Sequence, residues 1–114
     1  MATDYKEELQ VVGKRAKALY SAAPETMKAF GQLHHNAVKE GALDGKTKEL
    51  MAVAISIIRG CEDCILFHIA AASKAGATRE DLLDTIGVAV LMGGGPASVY
   101  GASALDIYDG LSAQ

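Results

Sequence analysis

Two cysteines and a histidine lie close together in the middle of the chain, at spacings that favour thiol chemistry. Cys61, Cys64 and His68 are separated by three and then four residues, so on a helix of about 3.6 residues per turn their side chains share one face. Two cysteines in the first turn of a helix can close a disulfide. The positive helix end there favours a thiolate, with a pKa lowered from about 8.5 to about 3.5–7.5. His68, one turn deeper, is placed to accept and return the thiol proton, and the pattern therefore predicts a redox-active cysteine pair.

A carboxylate can join this group if the chain folds back at Gly60. Glu49 lies eleven residues before Gly60, which is about 16 Å of helix, and His68 lies eight residues after it, about 12 Å. Two helices packed antiparallel around Gly60 would bring the carboxylate and the imidazole to similar depths. A carboxylate beside an imidazole orients the ring and increases its basicity. The set then has the form of an activated nucleophile with a base and an orienting group.

Helix signals occur along the whole chain, whereas sustained period-two alternation and Asn-Gly hairpin turns are absent. Pro24 and Pro96 suit the first turns of helices, Gly76 suits a left-handed cap, and Thr78 with Asp81 forms a capping box. The predicted helices cover about 4–20, 24–40, 47–60, 61–76 and 78–93, with a sixth that begins at Pro96. We expect residues 1–114 to form a single all-α domain, a six-helix bundle.

The composition indicates an oligomer. Half of the residues are hydrophobic, although aromatic residues make up 5% and tryptophan is absent. The segments 50–58, 82–92 and 99–105 are apolar nearly all round, and such helices need cover on every side. Because so few helices cannot supply this cover within one subunit, we expect a homo-oligomer.

The charge pattern argues against nucleic-acid and membrane functions. The net charge is −3, with acidic and basic residues interspersed, so there is no basic stripe for a phosphate backbone. The N-terminal residues lack the features of a signal peptide, and no apolar run approaches the roughly 18 residues of a membrane span. We therefore expect a cytoplasmic protein, and in that compartment a CxxC pair usually indicates redox chemistry or metal binding.

The segment from about 30 to 110 resembles the carboxymuconolactone decarboxylase superfamily, and within it the alkylhydroperoxidase D-like (AhpD-like) branch. The matching features are Glu49, the pair Cys61-x-x-Cys64 twelve residues on, and His68; the stretch KAGATREDLLDTIGVAVLMGGGPASVYGASAL is similar to the second helical pair of the family. The resemblance implies a helical homotrimer or homohexamer whose cysteine pair reduces hydroperoxides, without a cofactor or bound metal. It implies that an external dithiol, such as a lipoyl or thioredoxin-like adaptor, restores the pair, and that Glu49 and His68 form a proton relay.

One position departs from the family pattern. Some peroxidase members carry a histidine immediately before the second cysteine, where this chain has Asp63, preceded by Glu62. Acidic residues in the first turn stabilise the helix but oppose the formation of a neighbouring thiolate. The departure therefore bears on the rate of peroxide reduction more than on redox activity itself.

Several alternatives stay open at this point. The superfamily is named after decarboxylation of a lactone acid, a reaction that has no need of a dithiol. A zinc-stabilised module would use Cys61, Cys64 and His68, with His34 or His35 as a fourth ligand, and a redox sensor would use the disulfide without turnover. The attacking cysteine is also undecided, because Cys64 is nearer His68 while Cys61 is nearer the helix end.

The same residues could also have purely structural roles. The cysteines could be buried apolar thiols, His68 a hydrogen-bonded core residue and Glu49 a solvated acid in the first turn of its helix. The glycines at 93–95 predict a turn, since no P-loop lysine or preceding strand supports a phosphate site. Nothing in the sequence fixes whether Tyr100 reaches the cysteines.

Overall fold

The computed structural model describes residues 3–113 and contains, within that range, six α-helices and no β-strand. The helices are α1 (Tyr5–Ala22), α2 (Pro24–Val38), α3 (Gly45–Arg59), α4 (Glu62–Lys74), α5 (Arg79–Gly93) and α6 (Gly95–Ser112). The predicted all-α class and the division into six helices are confirmed.

Side-chain caps and glycines set the helix boundaries. The Asp44 carboxylate accepts a hydrogen bond from the Thr47 N–H at 2.8 Å and begins α3, which stabilises a helix end by about 1 kcal/mol. Thr78 and Asp81 form the predicted reciprocal capping box of α5. Gly60 ends α3 in the left-handed conformation, with φ of 65°, where a residue with a Cβ is disfavoured.

Several predicted boundaries differ from the structure by one or two residues, including the end of α2 and the start of α4. The second helix was expected to reach about residue 40 but ends at Val38, because Lys39 has an extended backbone with ψ of 156°. The fourth helix was expected to begin at Cys61, but Cys61 is its N-cap and Glu62 its first residue. An N-cap residue has non-helical backbone angles although its side chain still faces the first turn, so the shift keeps Cys61 beside Cys64.

The core lies between the last four helices. Helices α3 and α4 fold back on each other at Gly60; α6 packs against both of them, and α5 packs against α3 and α6. The buried cluster consists of apolar side chains from these helices: Val53, Ile57, Ile65, Leu66, Ile69, Leu82, Ala89, Ala97, Ala104 and Ile107.

Helices α1 and α2 form a hairpin on the outside of this core. Among the described residues, neither helix contributes one that is fully buried. The start of α1 is held against α6, where the Tyr5 hydroxyl donates a hydrogen bond of 2.6 Å to the Asp106 carboxylate. This hydrogen bond to a carboxylate, together with burial, raises the pKa of Tyr5 above its ordinary value. None of the helices found in 3–113 combines the length and apolar character needed to cross a bilayer.

Candidate functional site

Cys61 and Cys64 form a disulfide at the N-terminus of α4, with their Cα atoms 5.2 Å apart. The left-handed turn at Gly60 lets the Cys61 N–H donate a hydrogen bond to the Ser56 carbonyl at 3.1 Å, which ties the turn to the last part of α3. The Cys61 Sγ then accepts the Cys64 N–H at 3.3 Å and so caps α4. The disulfide therefore spans the cap and the first turn, where unpaired backbone N–H groups and the helix dipole favour negative charge.

His68 and Glu49 form a largely buried pair one turn deeper. The His68 Nδ1 lies 2.8 Å from the Glu49 Oε1, and the side chains are 20% and 10% exposed. An ionised carboxylate only accepts hydrogen bonds, so Nδ1 carries the hydrogen and Nε2 of the neutral ring is left with its lone pair. Glu49 thus fixes both the orientation and the tautomer of the imidazole. The antiparallel packing of α3 and α4 delivers the proximity that the helix lengths predicted.

An apolar cavity opens beside Cys64 and His68. It lies between α1, α2 and α4 and has a volume of about 370 Å³. Its walls are formed mainly by apolar side chains, with Asp63 at one edge: Val12, Ala16, Leu19, Tyr20, Met27, Phe30, His34, Asp63, Cys64, Phe67 and His68. The Phe67 ring meets the His68 ring edge to face, with centroids 5.1 Å apart. A small apolar molecule in this cavity would therefore contact both Cys64 and the imidazole.

Cys61 faces a different, open depression. Its lining residues are Gly60, Cys61, Glu62, Asp63 and Tyr100. The Tyr100 ring packs so closely over Gly60 that an added Cβ would lie 3.0 Å from ring carbons. The structure thus places Tyr100 beside the first cysteine, a point that the sequence left undecided.

The two acidic residues between the cysteines are exposed to solvent. The Asp63 carboxylate lies 3.6 Å from the Arg15 guanidinium of α1, and both side chains are more than half exposed. Water and salt screen such charges strongly. This screening weakens the effect of the two carboxylates on the sulfur atoms.

The side chains of the zinc alternative are not arranged as a metal site within the described residues. Both sulfur atoms are committed to the disulfide, and within residues 3–113 no three His, Cys, Asp or Glu side chains are arranged to hold a metal ion. His35 is exposed to solvent. The predicted turn between α5 and α6 is present but consists of Gly94 alone, with φ of 69°, because Gly93 ends α5 and Gly95 begins α6.

His34 is the site residue that the sequence suggested only as a possible fourth zinc ligand. It lines the cavity from α2, with its ring centroid 6.0 Å from that of Phe67 and 6.3 Å from that of His68. The apolar cavity itself was not predicted either. A signal was present in the four-residue spacing of Phe30 and His34, which places both on one face of α2, but nothing local indicated that this face turns towards α4.

Comparisons with known proteins bear on the family and the fold. Residues 24–106 match the model of the Carboxymuconolactone decarboxylase family. An uncharacterized protein of Cupriavidus necator is 40% identical over 113 residues, which are 99% of this chain and 100% of that protein. The crystal structure of a carboxymuconolactone decarboxylase family protein from Legionella pneumophila has a TM-score of 0.93 and 40% identity, over 97% of this chain and 100% of that one. The alkyl hydroperoxide reductase AhpD of Corynebacterium kroppenstedtii is 32% identical over 62 residues, 54% of this chain and 36% of that protein.

Proposed function

The chain belongs to the carboxymuconolactone decarboxylase family, and from this premise we propose that it is a thiol-dependent peroxidase of the AhpD-like kind. It would reduce hydroperoxides with the dithiol of Cys61 and Cys64 and regain that dithiol from an external donor. The observation that carries the proposal is the disulfide at the start of α4 with the Glu49–His68 pair one turn away. Lactone decarboxylation has no use for this disulfide.

We assign the attack on the peroxide to Cys64. This cysteine shares the apolar cavity with His68, whereas Cys61 lies in the open depression next to Tyr100. The four-residue step from Cys64 to His68 places the imidazole over the same face of α4. Since Glu49 holds Nδ1, Nε2 is the nitrogen that accepts the Cys64 proton.

The oxidative half of the cycle follows from these positions. The Cys64 thiol gives its proton to His68, and the thiolate attacks the distal oxygen of the hydroperoxide. An S–O bond forms, the O–O bond breaks, and the leaving alkoxide takes the proton from His68 to become an alcohol. The Cys61 thiol then attacks the sulfenic sulfur, so that the S–S bond forms and water leaves. The sum is dithiol plus hydroperoxide giving disulfide, alcohol and water.

The reductive half takes place at the open side. A donor thiolate attacks the exposed disulfide through a mixed disulfide, and the depression around Cys61 gives it access. The donor's second thiol then attacks the donor sulfur of this mixed disulfide and displaces Cys61. Both cysteines are thereby restored as thiols, and the donor leaves as a disulfide. A lipoyl or thioredoxin-like adaptor is the class of donor that fits, and the cytoplasm, which keeps such dithiols reduced, is the location we propose.

The experiment is hydroperoxide consumption with dithiothreitol as donor, in the wild type and in serine variants of the two cysteines. The Cys61→Ser, Cys64→Ser double variant should show no dithiol-dependent turnover. Reduced beforehand and then freed of dithiothreitol, Cys61→Ser should react once with hydroperoxide and stop as a sulfenic acid at position 64, one oxygen atom heavier by mass spectrometry. Serine is a favourable N-cap, so this variant should keep the fold.

Two results would contradict the proposal. A double variant that consumes hydroperoxide at the wild-type rate would reject the peroxidase function. A sulfenic acid that accumulates on Cys61 of the Cys64→Ser variant, with Cys61→Ser unreactive, would reverse the assignment of the two cysteines.

We also propose that the protein acts as a homotrimer or homohexamer. An apolar surface, defined here by Met51, Ile55, Ile58, Leu91, Met92 and Val99, is exposed across α3 and the turn between α5 and α6. The position of a Cβ at Gly93, 2.5 Å from the Ile58 side chain, shows that the two parts adjoin. Continuous exposed apolar surfaces of this kind usually mark protein interfaces. A second copy of the chain would supply the cover that the sequence indicated.

A further inference from the structure

His34 has a buried ring nitrogen, Nε2, without a hydrogen-bond partner among the described residues. No described residue offers the Nε2 of His34 a hydrogen bond, although the atom is almost completely shielded from solvent. Buried polar groups in proteins nearly always have a partner, and an exception calls for a functional or structural reason. The ring is held between Phe67 and the His68 imidazole, in the wall of the cavity that also contains Cys64.

The cavity around His34 has the form of a small-molecule site. Its volume of about 370 Å³ lies in the range of roughly 300–1,000 Å³ typical of ligand pockets, which are mainly apolar with a few placed polar groups. Four large hydrophobic side chains in its wall are at least about a third exposed, as expected for a surface that awaits an occupant: Leu19, Tyr20, Phe30 and Phe67. The polar groups of the cavity are therefore concentrated at Cys64, His68, Asp63 and His34.

We propose that this cavity holds the organic group of the substrate and that His34 is a binding residue that hydrogen-bonds the substrate's oxygen. The inference rests on the proposed function, since the hydroperoxide attacked by Cys64 identifies the ligand. The torsion χ2 of histidine is soft, so a small ring rotation turns the shielded nitrogen towards an oxygen in the cavity. The apolar walls would then select hydroperoxides that carry a hydrocarbon group.

In this proposal His34 stabilises the leaving oxygen of the hydroperoxide. As the S–O bond to Cys64 forms and the O–O bond breaks, the electron pair of that bond stays on the proximal oxygen. A His34 N–H donates a hydrogen bond to this oxygen, while the proton that neutralises it comes from His68. The protonation state of His34 is unchanged over the step. Donors that stabilise a developing oxyanion are among the strongest contributors to catalysis.

The first test compares variants of the full chain with dithiothreitol as donor. His34→Phe keeps a flat ring against Phe67 but has no donor, and it should lower kcat/KM for cumene hydroperoxide by about tenfold to a hundredfold. His34→Gln restores a donor and should recover most of the activity. His35→Phe, which changes the exposed neighbour on the same helix, should match the wild type. The reaction of the reduced cysteines with a small disulfide reagent, which needs no oxyanion donor, should be equal in all four proteins.

A further variant tests the cavity as the site of the organic group. Ala16→Phe places a ring in the wall and should lower kcat/KM by a much larger factor for cumene hydroperoxide than for hydrogen peroxide, which has no organic group. Equal losses on both peroxides, or none on either, would overturn the placement. If His34→Phe has wild-type kcat/KM, or if His34→Gln is as impaired as His34→Phe and both lose reactivity with the disulfide reagent, the binding role is wrong.

The second test is independent of turnover. The oxidised protein is titrated with 2-phenyl-2-propanol, the alcohol that cumene hydroperoxide leaves, and the histidine ring resonances are followed by NMR. A saturable shift at His34, with none at His35, is the expected result. A His34 resonance that does not move overturns the inference. A wild-type protein that binds the alcohol in this way but does not consume hydroperoxide would instead reject the proposed function alone.

Discussion

The role of Glu49 can be separated from its packing by the substitution Glu49→Gln. The glutamine side chain has nearly the same shape, and its amide oxygen can still accept the hydrogen bond from the His68 Nδ1. What the variant loses is the negative charge that lies 2.8 Å from the imidazole nitrogen. This charge is largely shielded from water, since only 8% of the surface of the whole Glu49 residue is exposed. The charge matters when His68 becomes positive, which in the proposed cycle happens as it takes the Cys64 proton.

The expected magnitude follows from the kind of hydrogen bond. A hydrogen bond to a charged group contributes about 1.5–3 kcal/mol, against about 0.5–1.5 kcal/mol for a neutral pair. The difference of roughly 1–1.5 kcal/mol would appear in the barrier to thiolate formation, because the pair is largely shielded from screening by water. Since about 1.4 kcal/mol corresponds to a factor of ten in rate, we expect a loss of about tenfold.

The assay measures kcat/KM for cumene hydroperoxide and, separately, the alkylation rate of the reduced protein by iodoacetamide. Both should fall by the same factor in Glu49→Gln, because both reactions consume the thiolate. The matched control is Glu80→Gln, which removes an exposed glutamate from the first turn of α5 and should leave both rates unchanged. Circular dichroism should give the same thermal midpoint for Glu49→Gln and the wild type within a few degrees.

Two outcomes would refute this account of Glu49. Wild-type rates in Glu49→Gln would show that the carboxylate does not support His68 as a base. A fall in activity that follows the fraction of unfolded protein, with a thermal midpoint lowered by many degrees, would show that Glu49 is a structural residue. In that case Glu49 would have a structural role and no catalytic one.

The remaining predictions concern stability and assembly. The pKa of Asp81 lies below its ordinary value of 3.8, because its carboxylate accepts the Thr78 N–H and a hydrogen bond from Lys46. A carboxyl group whose pKa is lower in the folded than in the unfolded protein stabilises the fold fully at a pH above its unfolded pKa, and this stabilisation is lost as the pH falls through its folded pKa. Thermal unfolding should therefore show Asp81→Asn to be less stable than the wild type at neutral pH. Well below pH 3.8 the two proteins should be nearly equally stable. Leu91→Asp, at a side chain 79% exposed in the single chain, should shift the mass measured by light scattering towards the monomer, while Leu43→Asp, outside the apolar surface, should not; an unchanged assembly in Leu91→Asp would exclude this interface.

The helical part of the fold was accessible from the sequence because its boundaries are set locally. The capping box of Thr78 and Asp81 and the glycine at position 60 act through neighbouring backbone groups, so a local pattern is sufficient to place them. The predicted end of α2 at about residue 40 is wrong, because the chain leaves the helix through the extended Lys39, two residues before Gly41. No local signal distinguishes a helix that ends at a glycine from one that ends shortly before it.

The site was accessible only as far as it lies on α3 and α4. Cys61, Cys64 and His68 are connected by helical spacing, and Glu49 could be added because a single turn joins the two helices. The position of α1 and α2 over Cys64 depends on long-range packing with few buried residues, which no periodicity reports. For this reason the sequence located the disulfide and the imidazole pair but not the cavity or the part of His34 in its wall.

Asp63 stands where some members of the family carry a histidine, and the effect of its charge on a thiolate can be compared with the effect of the N-terminus of α4. The backbone N–H of Cys64 lies 3.3 Å from the Cys61 Sγ and is fixed by α4, so it favours negative charge on Cys61, the second thiol of the proposed cycle, at any salt concentration. The carboxylates of Glu62 and Asp63 are exposed, and that of Asp63 already faces Arg15. With a screening length of about 8 Å at physiological ionic strength, mobile exposed charges oppose a thiolate less than fixed dipoles favour it. In the proposed cycle, the acidic pair should therefore modulate the rate of hydroperoxide reduction, while the position of the sulfur atoms at the start of α4 favours the thiolates on which that cycle depends.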